Sequence, residues 1–154
     1  GTLLEEGIRL HADGVAKCLF ELRREMPEPP NNDYPYLWLT GRGTAAQWHT
    51  QTRTAKSAVL QQLGPRQIYV EINPQDARVE GIRSSQDVIV ESQRGRLRAK
   101  AFVTPTVQPG QVFIPMHYDA TNKLTFPHFD PYPKPPSYKD CAVRVRCVES
   151  WYDA

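Results

Sequence analysis

The stretch Asp87-Val88-Ile89-Val90-Glu91-Ser92-Gln93-Arg94-Gly95-Arg96-Leu97-Arg98-Ala99-Lys100-Ala101-Phe102-Val103 decides the class of fold. A β-branched apolar run meets a polar break at Gln93-Arg94, and a second run then sets Leu97, Ala99, Ala101 and Val103 on one face. Period-two alternation on both sides of a short polar break predicts a β-hairpin with one buried face. Arg94, Arg96 and Arg98 alternate on the other side, which reads as a solvated strand face. Working outward, Lys17 to Leu22, Tyr36 to Leu39, Gln67 to Ile72, Val112 to Ile114 and Cys141 to Val148 carry the same short β-type composition. Two short helices are expected, one from Ala55 to Leu63 before Gly64-Pro65, the other capped by Asn73, opened by Pro74 and ended at Gly81. Asp76 favours the start of the second. Eight of the 14 prolines lie between Pro105 and Pro136, which predicts ordered coil with short strand pieces. The sum is a mainly β barrel with short helical inserts and no repeat at periods of 20–50 residues.

At 154 residues, 40% hydrophobic and 23% charged, the chain has the size and balance of one soluble globular domain. Residues 1–33 read as a lead-in strand and connector, and 34–150 as the barrel. A net charge of +2, from 19 basic and 17 acidic residues, argues against nucleic acid or membrane as partner. No apolar run approaches the roughly 20 residues of a membrane span. Cys18, Cys141 and Cys147 form no Cys-x-x-Cys pair and no zinc spacing, so they read as reduced thiols and suggest a cytoplasmic location. The opening Gly1-Thr2-Leu3-Leu4 has no initiator Met and no signal-like pattern, so the chain reads as a piece of something longer.

Chemistry concentrates in Thr40-Gly41-Arg42-Gly43-Thr44-Ala45-Ala46-Gln47-Trp48-His49-Thr50-Gln51-Thr52-Arg53-Thr54. Glycines let a backbone approach an anion, and Arg42 and Arg53 offer planar forks to a diphosphate or a pterin edge. Trp48 and His49 add an aromatic wall and a polar donor. By spacing alone the segment also fits a plain strand-to-helix loop with surface arginines.

Tyr36-Leu37-Trp38-Leu39-Thr40-Gly41-Arg42, Gln47-Trp48-His49-Thr50 and Arg53-Thr54 resemble the opening of the C-terminal domain of the molybdopterin oxidoreductases, the dimethyl sulfoxide reductase class. Val70 to Ala77, Ser92-Gln93-Arg94-Gly95, Pro109 to Pro115, Asn122-Lys123-Leu124-Thr125 and Tyr138 to Val143 follow in the family's order. The branch most resembled holds assimilatory and periplasmic nitrate reductases and formate dehydrogenases. The resemblance implies a double-psi β-barrel closing over a molybdenum-bearing molybdopterin guanine dinucleotide. It implies cofactor contacts from Thr40, Gly41, Arg42, Gly43, Gln47, Trp48, His49, Thr50, Arg53, Asn122 and Lys139, and a substrate funnel near His117 and Tyr118. Upstream domains of the same polypeptide would supply the metal ligand and an iron–sulfur cluster, because no cysteine here suits either. The parent enzyme would reduce a small anion, nitrate, to nitrite; the isolated domain would be inactive. A formate dehydrogenase domain or a stand-alone double-psi binding module are the alternatives. An aspartate-decarboxylase-like enzyme shares the barrel but needs a self-cleaving Gly-Ser, which is absent.

Overall fold

A computed structural model describes residues 28–43, 52–125, 128–129, 136–137 and 140–148. Along the chain run β1 (Tyr36–Gly41), a 3-10 turn (Thr54–Lys56), α1 (Ala58–Leu63), β2 (Tyr69–Ile72), α2 (Pro74–Val79), β3 (Asp87–Glu91) and β4 (Arg96–Val103). There follow β5 (Gln111–Pro115), a second 3-10 turn (Asp119–Lys123), β6 (His128–Phe129), β7 (Pro136–Ser137) and β8 (Asp140–Cys147). The expected strand at Lys17 to Leu22 lies outside the described residues.

Six strands close into a barrel in the order β1-β5-β2-β4-β3-β8. Two pairings are parallel, β1 with β5 and β2 with β4, and the other four are antiparallel. Exchanging β1, β2 and β3 for β4, β5 and β8 carries β1–β5 into β2–β4 and β1–β8 into β3–β4, each of the same sense, and leaves β2–β5 and β3–β8 in place. Two interlocked parallel pairs related by that exchange make the barrel a double-psi β-barrel.

The core follows the alternation of the hairpin: Leu97, Ala99 and Ala101 are buried and Val103 packs partly against them. Trp38, Val70, Ile72, Val112, Ile114, Val143 and Val145 complete the interior. At β3 the alternation is lost, because Ile89 is buried with Val88 and Val90.

Register fixes which strand ends share a rim. Gly41 stands opposite Pro115, Tyr69 opposite Lys100, Leu39 opposite Asp140 and Glu91 opposite Arg96. One rim therefore collects the ends of β1, β3 and β5 and the starts of β2, β4 and β8. The other rim is a hydrogen-bonded base. There the Tyr36 hydroxyl donates to Glu80 Oε1 at 2.6 Å, and burial and that carboxylate push the phenol's pKa up. Asn73 caps α2 by accepting from Gln75 N–H, and its Nδ2 donates to the Val107 carbonyl. Asp76 sits in the first turn as expected and also accepts from Gly110 N–H at 2.8 Å. Gly110 has φ +78° and its carbonyl accepts from Leu37 N–H, so a left-handed turn fixes the entry of β1.

Two expectations need correction. The single helix from Ala55 to Leu63 is split: Ser57, at ψ 116°, separates the 3-10 turn from α1 and caps α1 with its hydroxyl. Arg94 is on no strand face. It sits in the turn before β4 and pairs bidentately with Glu28, at 2.9 and 2.6 Å, with only 22% of its side chain exposed. Arg96 and Arg98 are exposed as expected, the latter beside Asp87 at 3.2 Å.

Cys141 and Cys147 share β8 and are both free. Burial pushes the Cys141 thiol up to about 12, outweighing the opposite pull of Arg94. At pH 8 an alkylating reagent is therefore expected to label Cys147 and to spare Cys141 until the barrel unfolds, read by peptide mass spectrometry. The unfolded thiol ionises near 9 while the folded one does not, so this group's contribution to stability is present below pH 9 and lost as pH rises toward 12.

Candidate functional site

The predicted site residues that the structure describes come from the rim opposite that base, save Arg53. β1 runs two residues past the expected boundary, so Thr40 and Gly41 belong to the strand and not to the loop. The Thr40 hydroxyl donates to the Ile114 carbonyl at 2.7 Å and Met116 N–H donates to the Gly41 carbonyl at 2.9 Å. Those bonds hold the exits of β1 and β5 side by side. Gly41 has no positive φ, and a Cβ there would meet Phe113 Cε2 at an ordinary 3.5 Å, so neither demands glycine.

Arg42 leaves β1 exposed, and His117 leaves β5 next to it. Both ring nitrogens of His117 are shielded from solvent and have no hydrogen-bond partner. Burial, then the charge of Arg42, hold its pKa below the usual histidine range. At neutral pH the imidazole is thus uncharged, a donor and an acceptor, not the cation that would steer an anion. Shielded polar atoms without a partner cost free energy unless a ligand satisfies them. A polar heterocycle or phosphate ester fits that requirement, so the residues present suit a pterin nucleotide.

Tyr118, which the resemblance places near the funnel, is half-buried beside His117. Its hydroxyl lies 3.1 Å from both the Pro65 and Gln67 carbonyls and ties the loop after α1 to this rim. Asn122 is exposed in the second 3-10 turn, and among the described residues its side-chain amide has no hydrogen-bond partner. Arg53 is exposed at the start of the first 3-10 turn. Gln47, Trp48, His49, Thr50 and Lys139 lie outside the described residues.

Sequence reasoning missed the groove beside this rim. It has a volume of about 950 Å³ and is lined by Gly43, Arg66, Tyr69, Lys100 and Phe102 among others. Tyr69 and Phe102 meet edge to face, with centroids 6.4 Å apart, and burial, with Glu71 and Tyr118 nearby, pushes the Tyr69 phenol up to about 12. Lys100 also pairs with Asp87 at 2.9 Å. The signal was present: Arg98, Lys100 and Phe102 are the outward complement of the inward face of β4.

The chain is thus a closed double-psi barrel whose rim carries Arg42 and the unsatisfied imidazole nitrogens of His117. The family described as "Molydopterin dinucleotide binding domain" matches residues 36–142, and the chain belongs to that family, the cofactor-binding domain of the molybdopterin oxidoreductases. It is 37% identical over 137 residues to the periplasmic nitrate reductase of Desulfovibrio desulfuricans, covering 87% of this chain and 18% of that one. It is 38% identical over 141 residues to the F420-dependent formate dehydrogenase 1 subunit alpha of Methanococcus maripaludis, covering 90% and 21%. The chain thus spans about a fifth of the length of the curated relatives it matches. In fold it is similar to acetylene hydratase from Pelobacter acetylenicus, with a TM-score of 0.60, 16% identity, and coverage of 90% and 20%. No helix among the described residues is long and apolar enough to cross a membrane.

Proposed function

We propose that this chain is the C-terminal domain of a molybdenum oxidoreductase that reduces nitrate to nitrite, with residues 34–150 forming the barrel that binds molybdopterin guanine dinucleotide. The observation that carries the reading is the gathering of Thr40, Arg42, His117 and Asn122 on one rim, with the His117 nitrogens unsatisfied. When bound, the cofactor would supply the metal for oxygen-atom transfer. The chain's own residues bind and orient. Arg42 offers its guanidinium to a phosphate, and neutral His117 and the Asn122 amide offer paired donors and acceptors to ring edges. Gln47, Trp48, His49, Thr50, Arg53 and Lys139 join them in this reading, with Lys139 as a point charge for phosphate. Upstream domains contribute the metal ligand and an iron–sulfur cluster, and the free thiols favour a cytoplasmic setting.

The full-length enzyme, given a reduced viologen and nitrate, is expected to form nitrite; turnover of formate with none of nitrate would overturn the choice of substrate. Formate oxidation is the second reading, favoured by the 38% identity to the methanogen subunit. Arg42→Ala is expected to lower cofactor affinity roughly tenfold, the scale of one hydrogen bond to a charged group. Molybdenum and pterin content per polypeptide after gel filtration checks it; wild-type content would remove Arg42 from the site.

A further inference from the structure

The second 3-10 turn, which carries Asn122, is held from below by a set of contacts that converge on its backbone. Gly95 packs so closely under it that a Cβ would lie 2.9 Å from the Lys123 carbonyl oxygen and 3.5 Å from Lys123 Cβ. Real Cβ atoms do not approach a backbone oxygen that closely, so any side chain at Gly95 must push the turn away. Arg94 Nε donates to the Leu124 carbonyl at 3.2 Å, and Cys141 Sγ donates to the same oxygen at 3.2 Å. The Thr121 hydroxyl donates to the Pro115 carbonyl at 3.3 Å, and Thr121 and Leu124 are both fully buried. Between the buried Thr121 and Leu124, Asn122 and Lys123 are exposed, and among the described residues the Asn122 amide has no hydrogen-bond partner.

The contacts come from three strands' ends: the β3–β4 turn gives Arg94 and Gly95, β5 gives Pro115, and β8 gives Cys141. Arg94 is itself immobilised by its bidentate pair with Glu28. Such bracing exceeds what a surface turn needs, since a solvent-exposed 3-10 turn can satisfy its carbonyls with water. It is the arrangement expected where a side chain must stand within a few tenths of an ångström of a ligand.

We propose that the β3–β4 turn is a positioning element of the cofactor site: Gly95, by lacking a Cβ, and Arg94, through the Leu124 carbonyl, set where the Asn122 amide stands. The inference rests on Asn122 being a cofactor contact. Neither Gly95 nor Arg94 touches the cofactor in this reading; both act through the backbone of the turn.

A double-mutant cycle in the full-length enzyme tests it. The rate at which pterin leaves the protein during prolonged dialysis is followed by fluorescence of the oxidised pterin, and the thermal midpoint is recorded alongside. Asn122→Ala is expected to speed that loss roughly fivefold, the value of one hydrogen bond. Gly95→Ala is expected to do the same, and the double variant to lose pterin no faster than Asn122→Ala alone. A merely structural Gly95 would instead multiply its effect with that of Asn122→Ala, and that result overturns positioning. So does Gly95→Ala at the wild-type rate while Asn122→Ala is impaired. Asn122→Ala at the wild-type rate overturns the contact itself. If Gly95→Ala does not fold, Arg94→Lys takes its place in the cycle. It keeps a charge opposite Glu28 but has no Nε–H for Leu124, and the same outcomes decide.

Discussion

Trp38→Ala is expected to lower the stability of the barrel by about 3–5 kcal/mol. Trp38 is 0% exposed and stands midway along β1, opposite Val112 on one side and Cys141 on the other. Trp38 lies in the core cluster between the two strands that flank β1, and removing its indole opens a cavity that β-sheet backbone cannot collapse to fill. The indole Nε1–H contributes nothing to that loss, because it is buried with no hydrogen-bond partner. Trp38→Phe keeps most of the ring and deletes the unsatisfied donor, so it is expected to cost less than half as much. Urea denaturation of the full-length protein, followed by proteolysis at the barrel, checks both. Equal losses for the two variants would show the indole N–H to be satisfied after all.

Arg94→Ala carries an expected cost of similar size, about 3–5 kcal/mol, by a different route. Glu28 is 8% exposed, and its carboxylate is held by both Arg94 nitrogens and, at 3.3 Å, by Ala142 N–H. Removing the guanidinium leaves a shielded negative charge with one backbone donor. It also strips the Leu124 carbonyl of a donor. The partner experiment separates lost attraction from stranded charge: Glu28→Leu added to Arg94→Ala is expected to recover part of the stability, as apolar replacements of buried pairs do. If the double variant is no more stable than Arg94→Ala, the penalty lies in the Leu124 bond and in packing.

How much of this was readable in advance depends on the distance over which each feature is decided. The hairpin of β3 and β4 and the cap at Asn73 are local, and alternation and capping chemistry place them within a residue or two. Arg94 misleads because its neighbours Arg96 and Arg98 suggest a strand face, whereas its partner Glu28 lies 66 residues away. The internal symmetry is silent for a similar reason. The equivalent strands β1 and β4, β2 and β5, and β3 and β8 start 60, 42 and 53 residues apart, so no fixed period exists to find. For the candidate site, the order of motifs points to Arg42, His117 and Asn122, but only parallel pairing of β1 with β5 brings Arg42 beside His117. The unsatisfied nitrogens of His117, and hence its neutrality, follow from burial that no local pattern encodes.

β8 is the last of the six barrel strands and the one that joins β1 to β3. Until Asp140–Cys147 is in place, β1 and β3 each keep one edge bare, with apolar side chains behind it. A chain emerging from the ribosome must therefore release more than a hundred residues beyond β1 before that edge can be covered. Pairings at such separation form slowly. The nascent domain has a long interval in which it is prone to stick to its neighbours, and a chaperone that shields sheet edges is the help its topology calls for.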